Sequence, residues 1–297
     1  MTELNITTLE NRAILVLTGE DVWDFLQNLV TNDMKAISES QCLYAALLTA
    51  QGKFLHDFII VKQGKVFLID CAADRKNDLI RRLTLYKLRA DVTISEREHC
   101  IFALYGDGAH MAANLPDKAG CALQNSDNLC LVDPRNAALG VRIIATAQFD
   151  PFEAFPDATV KDEDTYDSHR LHLGIPEGGQ DIIPEKNFLL EANFEELNGV
   201  SFNKGCYVGQ ELTARTKHRA KIKKRLFRIT YDGTLDPGEK ITLDGREVAE
   251  VRSFTNGQGL ALVRLESMKN NASGELMPKG VKLIQPDYVT LPLLEEQ

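Results

Sequence analysis

Two apolar runs, residues 43–49 (LYAALLT) and 54–61 (FLHDFIIV), are separated only by Ala50-Gln51-Gly52-Lys53, and this spacing predicts a β-hairpin. A second turn at Gln63-Gly64-Lys65 leads into a third run, 66–70 (VFLID). Hairpins join antiparallel neighbours, so this stretch cannot belong to a doubly wound parallel sheet. Single helices flank it. Residues 20–30 place Val22, Phe25, Leu26, Leu29 and Val30 on one stripe, and Asp74 to Leu88 places Leu79, Leu83, Tyr86 and Lys87 near helical spacing. With further strands expected at 12–17, 91–95 and 100–105, the fold class is α+β.

The pattern then changes. A helix is expected over 106–120, a turn at Asp133-Pro134-Arg135-Asn136, a linker over 149–164 and a helix over 164–173. The linker assignment rests on Pro151, Pro156 and a run of acidic residues. Residues 174–203 read as irregular. From Arg225 onward, short strands separated by Asp236-Pro237-Gly238, Asp244-Gly245 and Asn256-Gly257 predict a small antiparallel barrel or sandwich. At 297 residues the chain is long enough for two or three packed units, and the change in pattern divides it into 1–224 and 225–297.

With 44% hydrophobic residues the chain can bury a sizeable core, which excludes disorder as a whole-chain reading. No window approaches the roughly 18 apolar residues of a membrane span. Glu3 and Glu10 precede Arg12, and the apolar run 13–17 is too short for a secretory signal core, so a cytoplasmic protein is expected. Six cysteines (42, 71, 100, 121, 130 and 206) contain no C-x-x-C pair. The first five read as small buried apolar residues. No third glycine completes Gly106-Asp107-Gly108, and no phosphate-loop, H-E-x-x-H or G-x-S-x-G motif occurs.

One segment stands out: Lys204-Gly205-Cys206-Tyr207-Val208-Gly209-Gln210-Glu211. Two glycines bracket a Cys-Tyr pair and permit unusual backbone angles on both flanks. Lys204, two residues before the thiol, supplies a charge that favours the thiolate. The residues alone leave two readings open, an activated cysteine on a loop or a packed turn. A basic run follows. Between Lys204 and Arg228 nine Lys and Arg (204, 215, 217, 219, 221, 223, 224, 225 and 228) face one acid, Glu211, in a chain of net charge −9. Such a reversal suits phosphates, a polyglutamate tail, an acidic protein or tRNA, or is simply a solvated face.

At this motif the chain resembles the folate-binding YgfZ family, relatives of the glycine-cleavage T-protein. Gly174-Ile175-Pro176, Gly199-Val200-Ser201-Phe202 and Leu212-Thr213-Ala214-Arg215 agree with that family. So do Phe25-Leu26-Gln27, Val30-Thr31-Asn32-Asp33, Leu47-Leu48 and Gln51-Gly52-Lys53. The Gly-Val-Ser-Phe to Thr-Ala-Arg block is most similar to the mitochondrial iron–sulfur-assembly branch and its bacterial counterparts.

The resemblance implies two interleaved α+β subdomains around a central hole, followed by a C-terminal antiparallel β-barrel. It also implies tetrahydrofolate, or a derivative, as cofactor. Asp57 and Tyr44 match folate-facing positions, and a carboxylate beside a folate amine can hydrogen-bond or handle a proton. In the run Arg170-Leu171-His172-Leu173-Gly174, His172 stands where relatives carry the pterin-gripping glutamate. Neutral imidazole offers one acceptor where a carboxylate offers paired ones, which makes Glu191 a candidate to compensate. With Lys204 these residues form the expected cofactor set, and Cys206 and Asp57 the reactive pair.

The implied role is an accessory factor in assembly or repair of [4Fe–4S] proteins, with radical-SAM tRNA-modifying enzymes and aconitase-like dehydratases as clients. Partners are then assembly proteins or client enzymes, and no membrane. One cysteine cannot hold a cluster alone, so no stably bound metal is expected within one chain. The alternatives are a folate-dependent aminomethyl or methyl transferase, and a tRNA- or protein-binding module using the basic face 215–228.

Overall fold

The computed structural model describes residues 3–126, 128–218, 222–268 and 275–289. The chain forms two units, each assembled from separate stretches. The first takes 1–48, 56–166 and 198–208; the second takes 49–55, 167–197 and 209–297.

The first unit holds two sheets. The predicted hairpin is present as Leu43–Leu48 and Phe54–Gln63, and the five-stranded sheet continues through Val66–Ala72, Arg12–Thr18 and Thr93–Glu96. Residues 43–48 and 54–61 are buried without interruption, so both faces of these strands are covered, which accounts for continuous rather than alternating apolar runs. Helix α1 (Val22–Leu29) buries Val22, Phe25, Leu26 and Leu29, as its stripe requires. Helix α2 (Lys76–Lys87) buries Leu79 and Leu83.

The other sheet has six strands, in the order Thr159–Val160, Asn5–Thr8, Cys100–Tyr105, Val141–Ala145, Asn128–Val132 and Ala122–Gln124. Two expectations are corrected here. The helix expected over 106–120 is one turn, Ala109–Ala112, because Gly106, Gly108 and Asn114 adopt positive φ and break the helical path. The expected linker 149–164 is folded structure. Phe155 belongs to the core of this sheet with Phe149 packed against it, and Thr159–Val160 adds an edge strand parallel to Asn5–Thr8.

A buried charge network joins the two sheets of this unit. Asp70 accepts from Arg12 Nε at 2.7 Å and from Arg142 Nη1 at 3.0 Å, while Arg142 Nη2 also reaches Asp133 at 3.3 Å. Asp133 in turn takes a bidentate pair from Arg135, at 3.0 and 2.8 Å. Burial alone would raise the Asp133 carboxyl, but Arg135 and Arg142 outweigh it and hold it below the usual range.

The second unit contains a six-stranded antiparallel sheet from the C-terminal part of the chain. Its order is Lys240–Leu243, Arg246–Thr255, Gln258–Arg264, Lys224–Thr230, Lys282–Ile284 and Glu275–Leu276. Phe227, Ile229, Val251, Ala261, Val263 and Leu283 lie in its core. A register shift between Val251 and Ser253 brings the Ser253 carbonyl within 2.2 Å of where a Cβ on Gly259 would sit, so only glycine fits opposite this bulge.

Candidate functional site

Tyr44 and Asp57 lie on the two hairpin strands, and the Tyr44 hydroxyl donates to Asp57 Oδ2 at 2.8 Å. Both are buried, Tyr44 being 1% and Asp57 6% exposed. The guanidinium of Arg135 stands 5.9 Å from the centroid of the Tyr44 ring. The pair is thereby connected to the charge network through a cation–π contact. What results is a buried carboxylate with a tyrosine hydroxyl among its donors.

Cys206 is held differently. It lies on the stretch 198–208, which is tied to the end of α1 by a set of main-chain contacts. Thr31 Oγ1 donates to Gly199 O at 2.6 Å, Asn32 Nδ2 to Asn198 O at 2.7 Å, and the Ser201 amide to Thr31 O at 3.0 Å. Lys204 completes the attachment. Its Nζ donates to the carbonyls of Gln27, Val30 and Asn32 at 2.7, 2.6 and 2.8 Å. The C-terminus of a helix carries unpaired carbonyls and the negative end of the helix dipole, and a lysine ammonium satisfies both. Burial pushes Lys204 down to about 8, while Asp33 nearby opposes that shift. Its three N–H donors are committed to carbonyls, so Lys204 fastens the loop that carries the thiol.

The Cys206 side chain is exposed, and Tyr207 beside it is buried, its ring 5.1 Å from Lys204 Nζ. The two motif glycines differ. Gly209 has φ +81°, whereas Gly205 lies outside the left-handed region and a Cβ there would meet nothing within 4 Å. Gln210 and Glu211 open the helix Gln210–His218. Among the other cysteines, 42, 71 and 130 are buried, and burial pushes the Cys71 and Cys130 thiols up to about 12. The expectation that Cys100 and Cys121 are buried is corrected: Cys100, at the first position of its strand, is exposed and Cys121 half-buried.

The remaining residues of the expected cofactor set lie in the second unit and are occupied with its own structure. Arg170 is buried, donating from Nη1 to Asp181 Oδ2 and Ile175 O, both at 2.7 Å, and from Nε to Asp167 at 2.9 Å. His172 is exposed, with Nδ1 3.0 Å from Gln258 Oε1 and 3.4 Å from Arg228 Nη2. Glu191 Oε2 accepts from the Phe188 amide at 3.0 Å and from Asn187 Nδ2 at 3.2 Å, capping the short turn Leu189–Ala192.

These donors and acceptors test the fit to a folate. Asp57 with Tyr44 suits a folate amine. The pterin edge calls for a paired acceptor: the His172 imidazole has a single acceptor nitrogen, and of the Glu191 carboxylate Oε2 already caps a turn. Asp57 with Tyr44 is the part of the set that fits a folate.

Folding engages four of the nine basic residues, while Arg215 and Lys223 stay exposed and Lys224 is half-buried. Lys204 is enclosed by carbonyls, Arg225 is buried against Glu196 at 2.7 Å, Lys217 pairs with Glu195 and Arg228 meets His172. Arg219 and Lys221 lie outside the described residues. An open groove of about 610 Å³, lined by Ile37, Ser38, Glu39, Lys62 and Leu123 among others, contains none of the expected site residues. Among the described residues, no three His, Cys, Asp or Glu side chains gather as a metal cage, and no helix is long and apolar enough to cross a membrane.

Residues 6–117 match the family model of the GCVT N-terminal domain, and residues 223–290 that of the CAF17 C-terminal beta-barrel domain. The glycine cleavage system aminomethyltransferase T from Bartonella henselae shares the fold. It superposes with a TM-score of 0.77 over 98% of this chain and 86% of that one, at 16% identity.

The chain is similar to the mitochondrial iron–sulfur cluster assembly factor IBA57 of Homo sapiens, at 33% identity over 88% of this chain and 78% of the human one. The Mus musculus protein is 32% identical over 94% and 84%. The Neurospora crassa homolog is 33% identical over 95% of this chain, which spans 64% of that longer protein. All three are mitochondrial proteins, and this overturns the cytoplasmic expectation. Of the residues on which it rested, the Glu3 carboxylate accepts from Thr159 Oγ1, the Glu10 main-chain amide donates to Glu163, and the apolar run 13–17 lies within the strand Arg12–Thr18. With most of the human and mouse proteins covered at this identity, the chain belongs to the family of the iron–sulfur cluster assembly factor IBA57.

Proposed function

We propose that this chain takes part in the assembly or repair of [4Fe–4S] proteins, with the Cys206 thiol as the group that handles the cargo. The observation that carries this reading is an exposed thiol on a loop fixed by Lys204 and by main-chain contacts at residues 198, 199 and 201. A reactive side chain on a loop secured to a rigid element is the arrangement that binding and transfer sites use. The thiolate form ligates iron. One thiolate is a quarter of the usual ligand set of a cluster, so the other ligands come from a partner, either a second assembly protein or the client itself. The relatives named as iron–sulfur cluster assembly factors support this role. The resemblance to the YgfZ family points to radical-SAM tRNA-modifying enzymes and aconitase-like dehydratases as clients.

Tetrahydrofolate enters as a ligand to be tested, through Asp57 and Tyr44. Cells lacking the protein, supplied with wild type, Cys206→Ala or Asp57→Asn at matched abundance, separate the two parts. Cys206→Ala is expected to lose most aconitase-type and radical-SAM activity. Full rescue by that variant removes the reading. If Asp57→Asn fails in cells and also loses tetrahydrofolate binding by calorimetry, folate belongs to the function. If it rescues, the buried pair is structural.

A further inference from the structure

Helix α2 ends in a surface that the fold itself does not use. Leu79 and Leu83 face the core, but Leu85 is 64% exposed, Tyr86 40% and Leu88 85%. Among the described residues seven large apolar side chains are exposed, and three of them fall within these four consecutive positions. Single exposed apolar residues are ordinary; a cluster is not.

The backbone beneath the cluster is strained. Leu88 has φ +47° and ψ −104°, and the Ala90 amide donates to Lys87 O at 2.7 Å. This is close to a type II′ turn with leucine at the first central position, where glycine is the usual occupant. A non-glycine residue there is strained and persists only when its surroundings over-determine it. They do so here. The Asp91 amide donates to Asp21 Oδ2 at 2.8 Å, the Asp21 amide to Asp91 O at 3.3 Å, and Lys87 Nζ to Val92 O at 2.8 Å. A Cβ on Gly19 would sit 1.9 Å from Asp91 O, so the neighbouring chain closes in as tightly as glycine permits. The unit thus clamps a strained turn and obtains no burial of Leu88 in return. Strain that yields no packing is grounds for seeking a function.

The charge around the cluster suggests what covers it. Residues 74–91 carry Arg75, Lys76, Arg81, Arg82, Lys87 and Arg89 against Asp74, Asp78 and Asp91, a basic excess in a chain of net charge −9, and Asp91 is turned inward to the contact with Asp21. We propose that Leu85, Tyr86 and Leu88, set among Arg81, Lys87 and Arg89, form a docking surface for an acidic segment of a partner protein, with Leu88 as the anchor that enters an apolar pocket. A rigid apolar anchor surrounded by cations gives affinity at its centre and orientation at its rim. A lipid surface fits less well. An interfacial helix lays an apolar face on the membrane, whereas α2 spends Leu79 and Leu83 on its own core. The surface does not depend on Cys206 chemistry.

The test introduces a benzophenone amino acid at position 85 or 88 of the full chain in cells, with exposed Met111 as the control position. Light is expected to give one dominant protein adduct at 85 and 88 and none at 111. The captured protein, purified, is then titrated against wild type and variants. Leu88→Asp is expected to weaken binding about tenfold or more. Arg89→Glu weakens it less and flattens its salt dependence. Leu88→Gly relieves the turn, so it loses affinity while its melting midpoint holds or rises by about 2–4 °C.

Four results overturn the proposal: adducts no stronger than at Met111, an adduct with the mass of a dimer of this chain, variants that bind like wild type, or Leu88-dependent binding to phosphatidylcholine–phosphatidylglycerol vesicles. Maturation in cells keeps the two proposals separate. Failure of Cys206→Ala together with wild-type binding by Leu88→Asp sinks docking alone, and full rescue by Cys206→Ala together with weakened binding by Leu88→Asp sinks the thiol reading alone.

Discussion

Tyr44 and Asp57 sit on neighbouring strands and are positioned by other side chains: the tyrosine bonds the aspartate, Arg135 stands over the tyrosine, and Asp133 holds Arg135. Cys206, in the same unit, sits on a loop positioned mainly through backbone, with three carbonyls gathered by one lysine. The first arrangement closes a polar pair away from water, where a small ligand is the only possible visitor. The second leaves a thiol outside while fixing the chain beneath it, which suits exchange with another macromolecule. The two regions should therefore answer differently to mutation, the strand-built one through global stability and the loop-built one locally.

The largest expected effect is on the strand side. Asp70→Ala leaves Arg12 and Arg142 facing each other without the carboxylate they share, and breaking a buried ion pair of this kind costs about 3–5 kcal/mol. Urea unfolding measures it. The comparison predicts that iodoacetamide labelling of Cys206 under native conditions stays at the wild-type rate. A loss under about 1 kcal/mol would mean that the network is not what braces this unit.

Lys204→Met comes second and tests the loop side. Methionine retains the volume but abandons three carbonyls, at about 2 kcal/mol. Hydrogen exchange is expected to quicken over 198–208 and the last turn of α1, while the hairpin strands keep their protection. If protection falls evenly across the unit, the lysine is part of the core and the contrast drawn above fails.

Which parts of this organisation could be read in advance follows from how local each signal is. The hairpin at 43–61, α1, α2 and the C-terminal antiparallel sheet are each written in neighbouring residues, as apolar runs, helical stripes and turn pairs, and all were legible. The segment 149–164 misled because prolines and acids describe its exposed side, whereas its place is fixed by Phe149 and Phe155 on a core built from distant strands. The structural role of Lys204 was hidden for the same reason. Two positions from a cysteine it looks like an activator, and its true partners lie up to 177 residues away. The pattern Val30-Thr31-Asn32 agrees with the family, but its purpose lies in the hold of Thr31 and Asn32 on Gly199 and Asn198, far along the chain. His172 could be flagged from its position, yet its contacts with Gln258 and Arg228 join residues far apart in the chain.

The smallest effect is the one that decides how the comparison should be understood. Cys206→Ser exchanges an exposed sulfur for oxygen on a loop whose fixings are all elsewhere, so unfolding free energy should stay within about 0.5 kcal/mol of wild type. Serine keeps the size and polarity of the site but is a poor iron ligand at neutral pH, because its hydroxyl stays protonated where a thiol can ionise. A protein that is unchanged in stability and in exchange over 198–208, yet does not support [4Fe–4S] enzyme activity, would show that the loop exists to present this one atom. Measurable destabilisation would mean instead that the thiol helps pack the loop. Loss of function would then no longer speak for chemistry at sulfur, and the contrast between the strand-built pair and the loop-built thiol would reduce to a difference in exposure.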